Sequence, residues 1–123
     1  MQALSAVVLQ KDPNVAQSLA AWLHDHFRSV HVTQSERELR ETIAKKRPEV
    51  VILDIEASRL PEVQSLHQAF PRLSIVCTHR VPDEEMWAAA LEAGASDVCS
   101  SSDVQAILNS VLRNAVGMRS AAA

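Results

Sequence analysis

Five short runs of apolar, largely β-branched residues recur along the chain, at positions 5–9, 30–33, 50–53, 73–77 and 95–99. Each is followed by a segment whose apolar residues fall at helical spacing. Strands separated by helices pair in parallel, through right-handed crossovers that lay helices on both faces of one sheet. The alternation therefore predicts a doubly wound α/β domain of the (βα)5 kind. At 123 residues and 47% hydrophobic content, the chain supplies the core of one such domain and not of two.

Strand composition predicts the order. AVVL, VVIL and SIVC are nearly all apolar, as strands covered on both faces must be, whereas VHVT and SDVC carry polar residues and belong at the edges. With strands two and five outermost, the parallel sheet takes the flavodoxin-like order 2-1-3-4-5. In the first helix Val15, Leu19, Trp22 and Leu23 form the stripe expected against the sheet, and in the last Val104, Ile107, Leu108, Val111 and Leu112 do so. Ser35 and Ser102, each followed three residues later by Glu38 or Gln105, match the capping box and are expected to start helices two and five. Pro61 and Pro82 suit first-turn positions, Asp83-Glu84-Glu85 complements a helix N-terminus, Gly94 suits a left-handed C-terminal cap, and Pro48 stops the second helix.

Sheets of this kind bind and react at the carboxyl ends of their strands, near the switch between strands one and three. In VVILDIEASRLP four apolar residues run straight into Asp54, which places that carboxylate at this edge. Gln10, Lys11 and Asp12 end the first strand beside it, Thr78 ends the fourth, and Ser100 and Ser101 end the fifth.

With these positions in place, residues 4–115 resemble a receiver domain of the two-component response regulators, the resemblance being carried by VVLQKDPNV, RPEVVILDI, LSIVCT and ALEAGASDV. It implies that Asp54 is the phosphoacceptor, that Thr78 is the switch hydroxyl, and that a histidine kinase or phosphotransfer protein is the donor. It also implies Mg²⁺ held by a carboxylate pair after strand one, the acceptor and the carbonyl of Glu56. The family's acidic pair falls on Gln10 and Lys11, with Asp12 one position later, so that a site built from Asp12, Asp54 and Glu56 would be weak. Ser101 stands at the family's lysine and Val98 at its switch aromatic, and the loop after Asp54 has no glycine.

Lys11 either reaches Asp54 with its ammonium and stands in for the missing cation, or points into water. His79, beside Thr78, is expected on the rim, while His24, His26, His31 and His67 lack a metal-binding spacing. Trp87 sits among alanines in the fourth helix, where it either packs on the sheet or serves an interface. That face would meet an output domain or a second copy through helices four and five.

The remaining features exclude other classes. A net charge of −3 with one short basic cluster, Lys45-Lys46-Arg47, gives no footprint for nucleic acid. No apolar run approaches the roughly 20 residues of a membrane span, and no leader pattern opens the chain. Cys77 and Cys99, with no CxxC spacing, are expected as core thiols in the cytoplasm. The reading is thus a receiver domain over residues 1–116 with a tail or linker at 117–123, not an enzyme beyond assisting its own phosphorylation. The alternative is a phosphorylation-independent module of the same fold that acts by protein pairing or dimerisation. A flavin or nucleotide binder is disfavoured by the absence of a glycine-rich phosphate loop after strand one.

Overall fold

The computed structural model describes residues 4–122, with side chains through Asn114. The elements alternate as the apolar runs require: β1 Ser5–Leu9, α1 Pro13–His24, β2 Ser29–Thr33, α2 Glu36–Lys46, β3 Val50–Asp54, α3 Leu60–Ala69, β4 Ser74–His79, α4 Glu84–Ala93, β5 Asp97–Ser100 and α5 Val104–Ala122. All strand pairings are parallel, in the order β2-β1-β3-β4-β5. The expected fold class and both edges are as the strand compositions predict. The side chains of the stretch read as a tail, 117–123, lie outside the described residues, while the α5 backbone continues to Ala122.

The two-residue period of a strand divides the core between two faces. Ala6, Val8, Val50, Ile52 and Val76 pack with Leu19, Leu23, Ile107, Leu108 and Val111 under α1 and α5. Val7, Leu9, Val51, Leu53, Ile75 and Cys77 pack with Leu39, Ile43, Val63, Leu66 and Ala90 under α2, α3 and α4. Every residue of β3 is buried, whereas edge strand β2 leaves Val32 exposed. Full burial of each Leu or Ile contributes about 1.5–3 kcal/mol, so β3, closed on both sides, is held firmly in the sheet. A carboxylate at its end is correspondingly fixed.

Helix ends follow local chemistry, with two differences from expectation and a third in the face of α1. Ser35 Oγ accepts from the Glu38 amide and Glu38 Oε1 accepts from the Gln34 amide, so α2 starts as its capping box predicts. For α5 the cap is one residue later than expected: Asp103, not Ser102, accepts from the amide of Ala106. Pro82 precedes the cap of α4 rather than lying in its first turn, because Asp83 takes the Met86 amide at 2.8 Å. Trp22, expected in the core stripe, is 47% exposed, and the small Ala16 lies between α1 and the sheet instead.

Two residues end helices in the left-handed region. Arg47 at φ 52 closes α2 just before Pro48, and Gly94 at φ 118 closes α4. Arg47 tolerates this with open surroundings, but Gly94 does not have them: a β-carbon there would lie 2.6 Å from Cγ and 2.7 Å from Cβ of His67 on α3.

Candidate functional site

Asp54 ends β3 opposite Thr78 of β4. Beyond it the chain turns at once, with the amides of Ala57 and Ser58 both donating to the Asp54 carbonyl at 3.0 Å. The carboxylate is 3% exposed, and two backbone amides clasp it: Lys11 N donates to Oδ2 and Glu56 N to Oδ1, each at 2.9 Å. Such bonds fix the direction of the carboxylate. The first comes from the β1–α1 loop and the second from the β3–α3 loop, so the topology itself builds the clasp.

The ion pair between Lys11 and Asp54 is not formed. Lys11 makes its contact through the backbone amide, its side chain is exposed, and it enters no ion pair among the described residues. The residue leaves β1 at the sheet edge, where the chain turns its amide inward and its stem toward water. Lys11→Met keeps that amide, so its urea midpoint is expected to move by less than about 0.5 kcal/mol in stability. A loss of several kcal/mol would reinstate the pair.

Gln10 and Thr78 are joined through their side chains. Gln10 Nε2 donates to Thr78 Oγ1 at 3.0 Å, and the Thr78 hydroxyl donates back to Gln10 Oε1 at 3.3 Å. Both residues are buried, Thr78 completely. Asp12 is not part of this group: its Oδ1 caps α1 by accepting the Asn14 amide at 2.9 Å, and it is exposed. Ser101 is buried and its amide donates to the His79 carbonyl at 2.9 Å, which ties the end of β5 to that of β4.

A cavity of about 320 Å³ opens above Asp54 between Gln10, Lys11, Asp12 and Ser101, and sequence reasoning missed the pair that closes its fourth side. Arg80 Nε donates to Glu56 Oε2 at 2.9 Å and the Arg80 amide to Glu56 Oε1 at 3.1 Å. Partial desolvation pushes the Glu56 carboxyl up, but the hydrogen bonds and charge of Arg80, with His79 adding, outweigh it and hold the group below its ordinary 4.5. The signal was available, since Arg80 is a cation two residues beyond the strand-end hydroxyl in a pocket that lacks the family's lysine. The family resemblance draws on Glu56 only for its carbonyl, and its carboxylate is the part that the fold brings to Arg80.

No family model matches the sequence, and no curated protein matches it. Solved structures do. The signal receiver domain of a two-component response regulator from Bacteroides fragilis superposes with a TM-score of 0.84 at 22% identity, over 93% of this chain and 98% of that one. The receiver domain of a Francisella response regulator gives 0.80 at 12% identity, over 96% and 98%. NtrX from Brucella abortus, solved with ADP, gives 0.81 at 18% identity, covering 98% of this chain but 29% of its own. The fold is that of a receiver domain.

Within this receiver fold the structure brings Asp54, Gln10, Lys11, Asp12, Glu56 and Ser101 to one cavity, with Thr78 joined to it through Gln10. The donor set does not suit Mg²⁺. Of the three carboxylates that line the cavity, Glu56 is paired with Arg80 and Asp12 gives one oxygen to a helix cap, while the Gln10 carboxamide is committed to Thr78 and Lys11 brings a positive charge to the mouth. Among the described residues no group of three His, Cys, Asp or Glu side chains is placed to hold a metal ion.

The other candidates fall outside the cavity. His79 lies on the rim, where its Nδ1 accepts from the Val81 amide at 3.0 Å. Trp87 is 47% exposed on α4, so it does not pack on the sheet. The two thiols are free and lie on opposite sheet faces. Burial, reinforced by the Asp54 charge, pushes Cys77 up to about 12, which leaves it an inert core residue. Among the described residues, no helix is long and apolar enough to cross a membrane.

Proposed function

We propose that this chain is a receiver domain of a two-component phosphorelay, with Asp54 as the phosphoacceptor and Thr78 as the switch hydroxyl. The observation that carries the reading is the Asp54 carboxylate itself, buried at the end of the central strand, clasped by two amides and opening onto a cavity with room for a phosphoryl group. The clasp orients the carboxylate toward the cavity before any donor arrives, and such positioning is most of what protein groups contribute to phosphoryl transfer.

In the step proposed, one Asp54 oxygen forms a bond to the phosphorus of a phosphohistidine on a kinase or phosphotransfer protein. The P–N bond breaks, and the imidazole leaves with the electron pair and takes up a proton. The new phosphoryl oxygens then compete with Gln10 for the Thr78 hydroxyl, and that exchange carries the modification toward α4. Nothing is turned over, so the domain is a signalling module and not an enzyme in the ordinary sense. The module so proposed spans residues 1–116, with 117–123 as its tail, and acts in the cytoplasm where such donors act. The exposed Trp87 on α4 supports contact with an output domain or a second copy on the face of α4 and α5.

The test is incubation with acetyl phosphate or phosphoramidate, followed by intact mass measurement. Wild type is expected to gain one phosphoryl group, stable to acid and labile to base, and Asp54→Asn none. No gain from either donor, or an equal gain in Asp54→Asn, would sink the reading and leave the fold as a module that works by pairing alone.

A further inference from the structure

We infer that Arg80 is the cation that meets the phosphoryl group on Asp54, exchanging Glu56 for it when the aspartate is modified. The inference deepens the proposed function and rests on it. Transfer brings a phosphoryl group carrying about two negative charges against a carboxylate. That charge needs a counter-cation, and the usual sources are missing: Ser101 is neutral, and the donors beside Asp54 do not suit a divalent ion.

Arg80 has the required features. It lines the cavity that Asp54 opens onto. Its side chain is 77% exposed and so free to turn, yet it is tethered at that mouth by a carboxylate whose own amide clasps Asp54. Glu56 therefore holds the guanidinium close to the acceptor without neutralising the acceptor itself. The guanidinium side of the pair is open to water while the Glu56 side chain is only 13% exposed, so the cation can turn from a fixed carboxylate toward a more highly charged anion on Asp54. A guanidinium fork matches phosphoryl oxygens in a way that the exposed ammonium of Lys11 does not. Modification would thus move one positive charge inward and uncover the Glu56 carboxylate on the rim.

The covalent change is the one already described, here with an acyl phosphate: an Asp54 oxygen bonds to phosphorus, the P–O bond to the acyl group breaks, and acetate leaves with the electron pair. The experiment follows that uptake by intact mass in the full chain, with EDTA and with Mg²⁺. Wild type is expected to be phosphorylated in EDTA, and Arg80→Ala to slow uptake by about tenfold or more, as loss of a charged group at a transferring phosphoryl does. Arg80→Lys should recover part of the rate, and Arg37→Ala, on the exposed face of α2, should change nothing. Glu56→Gln breaks the same ion pair but frees the guanidinium, so it should react at least as fast as wild type. If the pair mattered only to the structure, Glu56→Gln would lose activity with Arg80→Ala, which overturns the proposal. It is overturned equally if Arg80→Ala matches wild type, or if wild type reacts only with Mg²⁺. Failure of wild type to react in any condition is distinct, because it removes the phosphoacceptor reading and this inference with it.

Discussion

Gly94→Ala is expected to destabilise the domain by about 3 kcal/mol and to lower its Tm by about 10 °C or more, although position 94 is remote from the sheet's reactive edge. Two effects add. At φ 118 an L side chain is strained, at a cost of about 1–2 kcal/mol. In addition, the new β-carbon would fall 2.6–2.8 Å from three atoms of His67, among them its Cβ. A distant imidazole tip could swing away, but a β-carbon moves only with the backbone of α3. The variant must therefore push α3 from α4, which pack directly on each other. Asn tolerates positive φ better than Ala but carries the same β-carbon, so Gly94→Asn should recover little of the loss. Urea denaturation that finds Gly94→Ala within about 1 kcal/mol of wild type would refute the contact, and full recovery by Asn would leave only the backbone strain.

The sheet order was legible because burial on two faces and burial on one leave different compositions. VVIL can only be central, and VHVT, with His31 and the exposed Val32, sits at an edge. Caps were legible wherever one residue alone could serve, as at Ser35 and Gly94. Where two neighbours compete, as Ser102 and Asp103 do, geometry chooses the one whose oxygen reaches the amide three residues on. Trp22 was misplaced for a related reason. Its spacing from Val15 and Leu19 fits a stripe, but the centre of the α1 face is set by Ala16, Leu19 and Leu23, and the indole falls on its margin.

The site was legible in position and not in wiring. That Asp54 would stand at the carboxyl edge followed from the alternation alone. Which atom of Lys11 would approach it did not, since a residue at a strand end can offer its amide or its side chain, and the turn decides. Nor could the sequence say that the Glu56 carboxylate would reach Arg80, a residue 24 positions away. Parallel neighbours β3 and β4 create that proximity, because the pairing of Asp54 with Thr78 puts the residues two beyond each of them side by side.

The same pairing makes the interaction of Gln10 with Thr78 the second large expected effect. No buried side-chain nitrogen or oxygen among the described residues is left without a partner, and here each of the two groups satisfies the other. Thr78→Val keeps the shape and strands the Gln10 carboxamide, while Gln10→Leu strands a hydroxyl with no exposure to water. Each is expected to lose about 1–3 kcal/mol, chiefly as the desolvation cost of the partner left behind. The double variant removes both polar groups together and should be no worse than the milder single change, a coupling of about 1–2 kcal/mol in a double-mutant cycle. Simple addition of the two losses would mean that each group finds water or another partner on its own. Thr78 would then be free to turn toward Asp54 without first parting from Gln10, and phosphorylation would have no competing contact to displace. A coupled pair, by contrast, gives the domain two arrangements of one hydroxyl, and the phosphoryl group on Asp54 selects between them.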